Sequence, residues 1–535
     1  MRTDVVRMYK DVHTWVGIIS GLALFIAFYA GAITMFETQV QRWASPPVAL
    51  SPAPAIERTQ ELIDKTLAER PQVERQFQIT ISPNAEAPAR MMWLERAPGA
   101  SRRDAAPVFG STLAADGSVE IVQIVGTEVA QIVDVLHQQV GLPLDHEIAM
   151  PIMGIICLLY GIALVSGTIV LLPSLVKDLF AVRVGKNLKR MWLDTHNVLG
   201  LFSLPFHIVI CLTAVVFAFH DQFYDVQNKI AYGGNLAAKW EEGEHHDPAP
   251  RGPVIPADEL LRSVQAQAPG FRVDSLRYGK DDEHGLTVSA WGENPAYGHR
   301  APTAGWVEVD PYTGKFTETD YMPGMQPAGF MPALTSFFTL HFGSFGGLPV
   351  RWAYFFMGLA GAMLFYTGNL LWIESRRKKE RKAGAVTQSR STIVMGALTV
   401  GVTLGCVAGI SLTIAAAKWL PGRVGDVAAW HSWIYYLTFL AAIGWAFARG
   451  AARAGWELLA FAGAMTLLIP ITSLLAAAGL PGTGWSYRHT ILVDLTALAG
   501  AAALFWMARI AYRRVESGPR DSVWGEAKAR AVPQA

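Results

Sequence analysis

Two histidines, His196 and His207, lie eleven residues apart in one predicted membrane helix. On a regular α-helix this spacing equals three turns plus about 20°, so both rings would project from one face, roughly 16 Å apart along the axis. A neutral imidazole inside a bilayer is costly unless it has a partner. Two imidazoles on one face therefore indicate either cofactor ligands or a polar relay. Hydrogen bonding to a neighbouring helix is the alternative for each ring.

The motif around His196 occurs twice in the chain. The pattern D-x-H-x-x-x-G covers residues 11–17 and again 194–200, which makes His13 equivalent to His196. Further matching positions are Leu136-His137 with Leu340-His341, and Ser166-Gly167 with Thr367-Gly368. The first 375 or so residues are thus two copies of one unit: a helix, an extramembrane module and a second helix. Duplication of this kind commonly places a functional site at the interface of the halves.

The composition indicates a membrane protein with substantial parts outside the membrane. Hydrophobic residues make up 51% of the chain and charged residues only 17%, which is too apolar for ordinary soluble domains of this length. The first apolar segment is too long for a signal peptide, so it predicts an uncleaved anchor. Eight segments are long enough to cross a bilayer: 13–36, 148–172, 196–220, 349–373, 392–418, 427–448, 454–478 and 488–512.

Basic residues concentrate in alternate short loops. They lie at 177–190, between spans two and three, at 376–382, between spans four and five, and after spans six and eight. This asymmetry predicts that both termini are cytoplasmic and that the two large insertions face outward. The basic runs are topology signals on this interpretation, and they do not indicate a nucleic-acid surface.

Several kinds of chemistry are excluded by what the sequence lacks. Cys157, Cys211 and Cys406 all lie in apolar spans, so no disulfide framework serves the external modules. No CxxCH motif is present, so any haem would be of the b type, held by axial ligands and packing alone. The chain also lacks a dinucleotide fingerprint, a P-loop and an HExxH motif. If the protein reduces a substrate, its electrons must come from a separate donor, either a quinol or a soluble cytoplasmic reductase.

The two external insertions have the pattern of small α+β modules. In the first, residues 54–70 predict a helix and residues 76–82, 91–96 and 118–125 predict strands. The second repeats this order, with a helix at 257–268 followed by strands at 271–279, 285–291, 305–310 and 315–319. The segment Asp-Pro-Tyr-Thr-Gly at 310–314 predicts the turn between the last two strands.

These motifs resemble a known family. VEVDPYTGKF, at 307–316, is similar to part of a PepSY module. The surrounding sequence resembles the PepSY-associated transmembrane family of iron-regulated membrane proteins, whose members include siderophore-iron reductases. The resemblance is carried by DVHTWVG, LHQQVG, LHFGSFGG and the SG and TGNLLW span endings, and it covers about residues 1–380. Spans five to eight lie outside the family's four-helix core.

The resemblance implies a polytopic α-helical protein of the bacterial inner membrane. About eight transmembrane helices would carry two periplasmic α+β PepSY-like domains, with both termini in the cytoplasm. The predicted division is helix 1 at 1–36, the first domain at 37–147, helices 2 and 3 at 148–220, the second domain at 221–348, helix 4 and a basic loop at 349–391, a four-helix bundle at 392–514 and a tail at 515–535.

The resemblance also implies two haem b groups and the reduction of ferric siderophores. Bis-histidine ligation in apolar surroundings suits electron transfer. His13 and His196 would form the pair near the cytoplasmic face, and His207 would serve the outer haem with either His341 or His137. Contact of these rings with a quinone or substrate is the alternative. A siderophore or metal transporter, and a non-catalytic regulatory protein, are the other functions that the sequence leaves open.

The remaining histidines carry weaker predictions. His220 is expected to be an interfacial polar residue. His431 and His489, near the outer ends of spans six and eight, could hold a further cofactor. Solvent exposure is expected for the outer-domain histidines His245, His246, His284 and His299. Asp11 and Asp194 are expected in the first turns of their helices, where a carboxylate is favoured by the helix dipole.

Overall fold

The chain folds into two compact units, one helical and one built on a sheet. The computed structural model describes residues 2–84, 87–95, 106–175, 188–235, 252–281, 285–298, 305–384, 388–517 and 522–525. The helical unit comprises Met1–Ala44, Thr127–Ala218 and Ala353–Ala535, and the second unit comprises Ser45–Gly126 and Phe219–Trp352.

The described helices are α1 Thr3–Thr34, α2 Glu37–Ala44, α3 Thr59–Glu69, α4 Val129–Gln138, α5 His146–Leu171, α6 Leu188–Phe202, α7 Leu204–Ala218, α8 His220–Ala231, α9 Ala257–Gln267, α10 Phe330–Phe342, α11 Gly347–Lys382, α12 Arg390–Ala416, α13 Val427–Ala477 and α14 Ile491–Ser517. The strands are β1 Gln76–Thr80, β2 Met91–Leu94, β3 Val108–Leu113, β4 Val119–Ile124, β5 Arg272–Asp281, β6 Gly285–Glu293, β7 Gly305–Val309 and β8 Phe316–Glu318.

Among the described residues, six helices are long and apolar enough to cross a membrane, and the pair α6 and α7 makes a seventh if it forms one span. The sequence predicts eight spans, and that number stays a prediction. Helix α13 covers two of the predicted spans in 51 residues. It is broken at Gly450, whose φ of 74° and ψ of 155° interrupt the helix. Glycine adopts this conformation without steric penalty. The break coincides with the predicted loop between spans six and seven.

The predicted single helix carrying both His196 and His207 is wrong. Helices α6 and α7 meet at a bend of 68° around Ser203. Pro205 lies in the first turn of α7. It has no N–H to donate to the carbonyl of Leu201, and its ring would clash with that carbonyl in a continuous helix. The regular spacing of roughly 16 Å on one helix face therefore does not apply to these two histidines.

The two predicted external modules contribute to one sheet. Its eight strands are all paired antiparallel, in the order β4-β3-β2-β1-β5-β6-β7-β8. Strands β1 and β5, one from each module, pair along five residues from Gln76 with Gly279 to Thr80 with Ser275. Residues 45–126 and 219–352, which make up most of the two predicted domain ranges, form this compact unit.

One hydrophobic core serves both halves of this sheet. Leu62 of α3 and Leu260 of α9 are fully buried in the same cluster as Ile79 and Leu276 of the central strands. The predicted helices and most predicted strands are confirmed, but β3 was missed. Gly110 interrupts its apolar pattern, and it does so for packing, because a Cβ there would lie 2.6 Å from that of Ala89.

The predicted turn at 310–314 is confirmed. The carboxylate of Asp310 accepts hydrogen bonds from the backbone N–H groups of Tyr312, at 2.8 Å, and Thr313, at 3.0 Å. Gly314 takes a φ of 69°, which few other residues adopt without strain. Its N–H donates to the carbonyl of Asp310 and closes the turn.

Candidate functional site in the helical unit

His13 of α1 is held by helix α5. Its Nδ1 lies 2.9 Å from the backbone carbonyl oxygen of Ala163. Four residues further along α5, Gly167 leaves room for the ring, since a Cβ there would lie 2.8 Å from Cε1 of His13. The hydroxyl of Ser166 donates to the same carbonyl at 3.2 Å. The Ser-Gly pair identified in the sequence therefore lies directly against His13.

His196 of α6 is held in the equivalent way by α11. Its Nδ1 lies 3.1 Å from the carbonyl oxygen of Leu364 and 3.1 Å from Oγ1 of Thr367. The Thr367 hydroxyl in turn donates to Leu364 at 2.9 Å. Gly368 follows the acceptor carbonyl by four residues, and a Cβ there would be 3.6 Å from Cε1 of His196. The internal repeat thus preserves a complete histidine environment.

His137 of α4 has the same kind of environment. Its Nδ1 lies 2.8 Å from the carbonyl oxygen of Ala27 in α1. A Cβ at Gly31, four residues later, would lie only 2.7 Å from that nitrogen. The arrangement of an acceptor carbonyl followed at the fourth residue by glycine therefore occurs three times.

Helix geometry explains this recurring spacing. Each Cα–Cβ bond of an α-helix tilts toward the N-terminus, so the side chain four residues after a carbonyl covers that carbonyl. Glycine leaves the carbonyl uncovered, and an imidazole from another helix can then approach it. The sequence repeat identified Gly167 and Gly368 but not Gly31, and it gave no sign that these glycines expose hydrogen-bond acceptors.

These contacts fix the tautomer of the rings. A carbonyl oxygen only accepts, so Nδ1 of His13 and of His196 must carry the proton and donate it. The lone pair of each ring is then on Nε2, which takes part in no hydrogen bond within the described residues. Histidines that ligate metals are commonly oriented by this type of Nδ1 hydrogen bond.

His13 and His196 lie next to each other. Their ring centroids are 6.2 Å apart, and the ring planes are inclined by 70°. Two imidazoles that bind one metal from opposite sides, at about 2 Å each, place their ring centroids about 6 Å apart. The pair that the sequence repeat predicts is therefore brought together at a separation suited to shared ligation.

His207 lies in an aromatic environment. The ring is fully buried and contacts Phe28, Tyr160 and Phe206, with centroid separations of 5.4–5.9 Å. The oxygen of Tyr160 lies 2.5 Å from Nδ1 and 3.3 Å from the His207 carbonyl. Tyr160 can therefore accept from Nδ1–H while donating to the carbonyl. A Cβ at Gly361 would lie 3.1 Å from the ring.

The other ring nitrogen of His207 is an unused polar atom. Nε2 is buried and has no hydrogen-bond partner in the described part of the chain. An orphaned polar atom in a low-dielectric interior costs about 1–3 kcal/mol. The tautomer that Tyr160 permits leaves a lone pair on this nitrogen, as expected for a ligand. Sequence reasoning identified His207 but missed Tyr160, which lies on a different helix.

The donor set fits haem better than a bare metal ion. Within the described residues, no group of three or more His, Cys, Asp or Glu side chains could hold a metal. Two imidazoles would supply two ligands to an iron atom, and haem itself would supply the other four nitrogens. The Nδ1 hydrogen bonds of His13 and His196 and the buried, unsatisfied Nε2 of His207 agree with such a group.

His341 lies in the other unit. It belongs to the last turn of α10, where its ring contacts Phe342 at a centroid distance of 5.5 Å. The pairing of His207 with His341 or with His137 stays a prediction. His220 begins α8, and its Nε2 lies 3.1 Å from a carboxylate oxygen of Asp221, in agreement with a solvent-accessible polar residue. His245, His246, His284 and His299 lie outside the described residues.

The expected positions of Asp11 and Asp194 are wrong. Helix α1 begins at Thr3, and α6 begins at Leu188, so neither aspartate occupies a first turn. Both helices extend beyond the apolar segments from which their starts were predicted. Asp194 is buried and lies 3.0 Å from the guanidinium of Arg190, one turn earlier. Its carboxylate is thus compensated by charge pairing.

The three cysteines are free and buried, as their positions in apolar segments predict. No curated protein matches the chain. The family model described as the PepSY-associated TM region matches residues 11–375, which include the whole internal repeat and all five candidate histidines. Together with its long apolar helices, this match shows that the chain is a multi-pass membrane protein and belongs to the PepSY-associated transmembrane family.

Proposed function

We propose that this protein is a haem b oxidoreductase of the bacterial inner membrane, which carries electrons across the bilayer to ferric siderophores in the periplasm. The observation that supports it most strongly is the close pair His13 and His196. Each ring is oriented through Nδ1, and each leaves Nε2 available.

The chain's own residues would provide the ligands and their surroundings. His13 and His196 would hold one haem b, and His207, with His137 or His341, would hold a second. When bound, haem b supplies a one-electron Fe(III)/Fe(II) couple. The carbonyls of Ala163 and Leu364 keep the imidazoles in the ligating tautomer. Burial keeps water from His207.

The substrate class follows from the chemistry of iron release. Siderophores bind Fe(III) through hard oxygen donors, which hold the larger and less charged Fe(II) far more weakly. One-electron reduction therefore releases the metal without destroying the carrier. The electron donor would be a quinol or a cytoplasmic reductase, since the sequence has no nucleotide-binding motif.

Visible spectra of purified variants test the ligands. His196→Ala should remove one low-spin haem and leave the protein inserted, because no apolar neighbour can replace an axial nitrogen. His207→Ala should remove a different haem. His489→Ala is the matched control, because this exposed histidine stacks only on Tyr487 among the ring contacts of the described residues. Unchanged haem content in both test variants would contradict the ligand assignment.

Electron transfer to the substrate is tested by stopped-flow mixing. Dithionite-reduced protein should be reoxidised by a ferric hydroxamate-type siderophore, with Fe(II) trapped by a chelator. If the protein binds haem but stays reduced for minutes with siderophores of every major class, the reductase proposal fails. A transporter or a regulatory protein would then be the better interpretation.

A further inference from the structure

A second set of buried polar groups lies in the C-terminal part of the helical unit. His431 and Tyr435 are one turn apart on α13, so they lie on the same face of that helix. Both side chains are fully buried. Among the residues that the structure describes, neither ring nitrogen of His431 has a hydrogen-bond partner, and the Tyr435 hydroxyl has none either.

The surrounding groups do not satisfy these three atoms. Backbone groups of Thr127 and Thr413 face the His431 ring, but they do not meet hydrogen-bond geometry. The polar group beside the Tyr435 hydroxyl is the thiol of Cys406, which is a weak hydrogen-bond partner. Buried polar groups are almost always paired, so three orphaned atoms within one helical turn indicate a missing partner.

Glycines let the Tyr435 side chain pack closely against α12 and against the segment after α4. A Cβ at Gly409 of α12 would lie 2.9 Å from the Tyr435 ring, and one at Gly141 would lie 3.4 Å from its hydroxyl. Gly141 follows α4 and lies only four residues after His137. The orphaned groups are therefore adjacent to the segment that carries a candidate haem ligand.

The opposite face of α13 is apolar and aromatic. Trp430 and Trp433 are 50% and 62% exposed, and Leu437 is 61% exposed, as expected for side chains that contact lipid. Phe439 stacks on Tyr435 at a centroid distance of 5.7 Å. A ligand that reaches this site from the bilayer would need an apolar body and a head group able to donate and accept hydrogen bonds.

We propose that His431 and Tyr435 bind the head group of a membrane quinol, which is the electron donor of this protein. A quinol has two hydroxyls that match the imidazole and phenol, a flat ring that suits an aromatic environment, and an apolar tail that stays in lipid. In this respect the inference rests on the proposed function and identifies its donor.

The redox balance is complete. One quinol loses two electrons and two protons to become a quinone, while its two O–H bonds break and two carbonyls form. The neutral imidazole of His431 accepts one proton and Tyr435 passes the other toward solvent. The two electrons leave one at a time through the proposed haem groups and reduce two ferric ions. No other reactant is required.

Equilibrium binding tests the site without relying on turnover. The full-length protein is titrated with decylubiquinone and with a short-chain menaquinone by isothermal titration calorimetry. We expect His431→Ala and Tyr435→Phe each to raise the Kd of the quinone that binds by about tenfold, because each removes a buried hydrogen bond to the ligand. Tyr436→Phe is the matched control and should leave the Kd unchanged.

Stability separates a binding role from a structural one. Tyr435→Phe removes an unsatisfied hydroxyl, so without ligand its melting temperature should equal or exceed that of the wild type. Quinone should then stabilise the wild type more than the variant. Failure of the wild type to bind either quinone, or equal Kd values in the variants, would overturn the inference. Quinone binding by a protein that lacks haem would instead refute the proposed function alone.

Discussion

At the scale of single residues, glycine determines which backbone carbonyls an imidazole can reach. Gly31, Gly167 and Gly368 each follow such a carbonyl by four residues, but their distances to the histidine rings differ. A methyl group at Gly167 would lie 2.8 Å from His13, whereas one at Gly368 would lie 3.6 Å from His196. The first distance is impossible without movement, and the second is ordinary contact.

Replacement of Gly167 by alanine should therefore displace His13. Overpacking of this kind costs about 1–3 kcal/mol, and a shifted ring would no longer face His196. We expect Gly167→Ala to lose haem absorbance per mole of protein and Gly368→Ala to lose much less. Gly444→Ala, at a helical position with no neighbour within 4 Å, is the control. Equal haem content in the Gly167 and Gly444 variants would contradict this explanation.

The sheet unit has a pH dependence of its own. Hydrogen bonds from Arg58 and Lys65 lower the pKa of Glu61 from 4.5 to about 2. Because the folded-state pKa is depressed, this carboxylate stabilises the fold above pH 4.5, and the stabilisation is lost as the pH falls toward 2.

The variant Glu61→Gln should consequently be less stable than the wild type at neutral pH, by a small amount because the ion pairs are exposed. The difference in melting temperature should be constant above about pH 5 and shrink progressively below pH 4.5. Glu69→Gln, an exposed carboxylate of the same helix, is the comparison variant. A difference in melting temperature that grows on acidification would contradict the lowered pKa of Glu61.

Single residues also show how far the sequence can predict this site. The equivalence of His13 and His196 is readable because the repeat preserves residue type and spacing. The contact of Tyr160 with His207 cannot be read from the sequence, because the two residues are 47 positions apart and the repeat has Gly361 at the position that corresponds to Tyr160. Contacts between helices depend on packing, and no local pattern encodes them.

At the scale of elements, the bend between α6 and α7 determines where His207 points. The sequence contains its cause, Pro205, but the apolar run continues through it, and proline in the first turn of a helix is also common. Periodicity alone cannot distinguish a continuous helix from two helices at 68°.

Restoring a donor at this position should straighten the segment. In Pro205→Ala, the new N–H can bond to the carbonyl of Leu201, and α6 and α7 would approach one helix. His207 would then rotate away from Tyr160, and the haem that depends on it should be lost while the absorbance from the His13 and His196 pair remains. Leu204→Ala tests whether a nearby change has the same effect. Unchanged spectra in Pro205→Ala would show that haem ligation by His207 does not depend on the bend.

The pairing of β1 with β5 is a second feature that sequence reasoning did not predict. Each module has the strand alternation of a complete small domain, and the strands of one module precede those of the other by about 200 residues. Alternation specifies which face is buried but does not identify the neighbouring strand. The helices of the two modules and the turn at 310–314 depend on local sequence, and for that reason their predictions were confirmed.

At the scale of the whole molecule, the basic loops predict the topology. The three native cysteines are buried, so introduced cysteines can be labelled selectively. We expect Ser118→Cys in the sheet unit to react with a membrane-impermeant maleimide in spheroplasts. Lys382→Cys, at the end of α11, should react only after permeabilisation. The reverse pattern would overturn the predicted orientation.

The family match ends at residue 375. Helices α12 to α14 follow that point and make up the C-terminal bundle. The partners of His13 and His196, including Gly167 and Gly368, all precede that point. The C-terminal segment nevertheless contacts the first part through Trp43, whose indole donates to Asp494 at 2.9 Å. The bundle could therefore supply function, stability or both.

A chain ended after Gly384 distinguishes these contributions. Lipid can cover the apolar surface that α12 leaves, and the indole of Trp43 can bond to interfacial water, so the shortened protein should still insert. We expect it to retain the low-spin absorbance that depends on His196 and to lose decylubiquinone binding, because His431 and Tyr435 are absent. The full-length Trp43→Phe variant controls for the lost contact with Asp494 alone. Quinone binding by the shortened chain would place the donor site in the repeat, and loss of its haem would show that the bundle is needed to hold the histidine pair together.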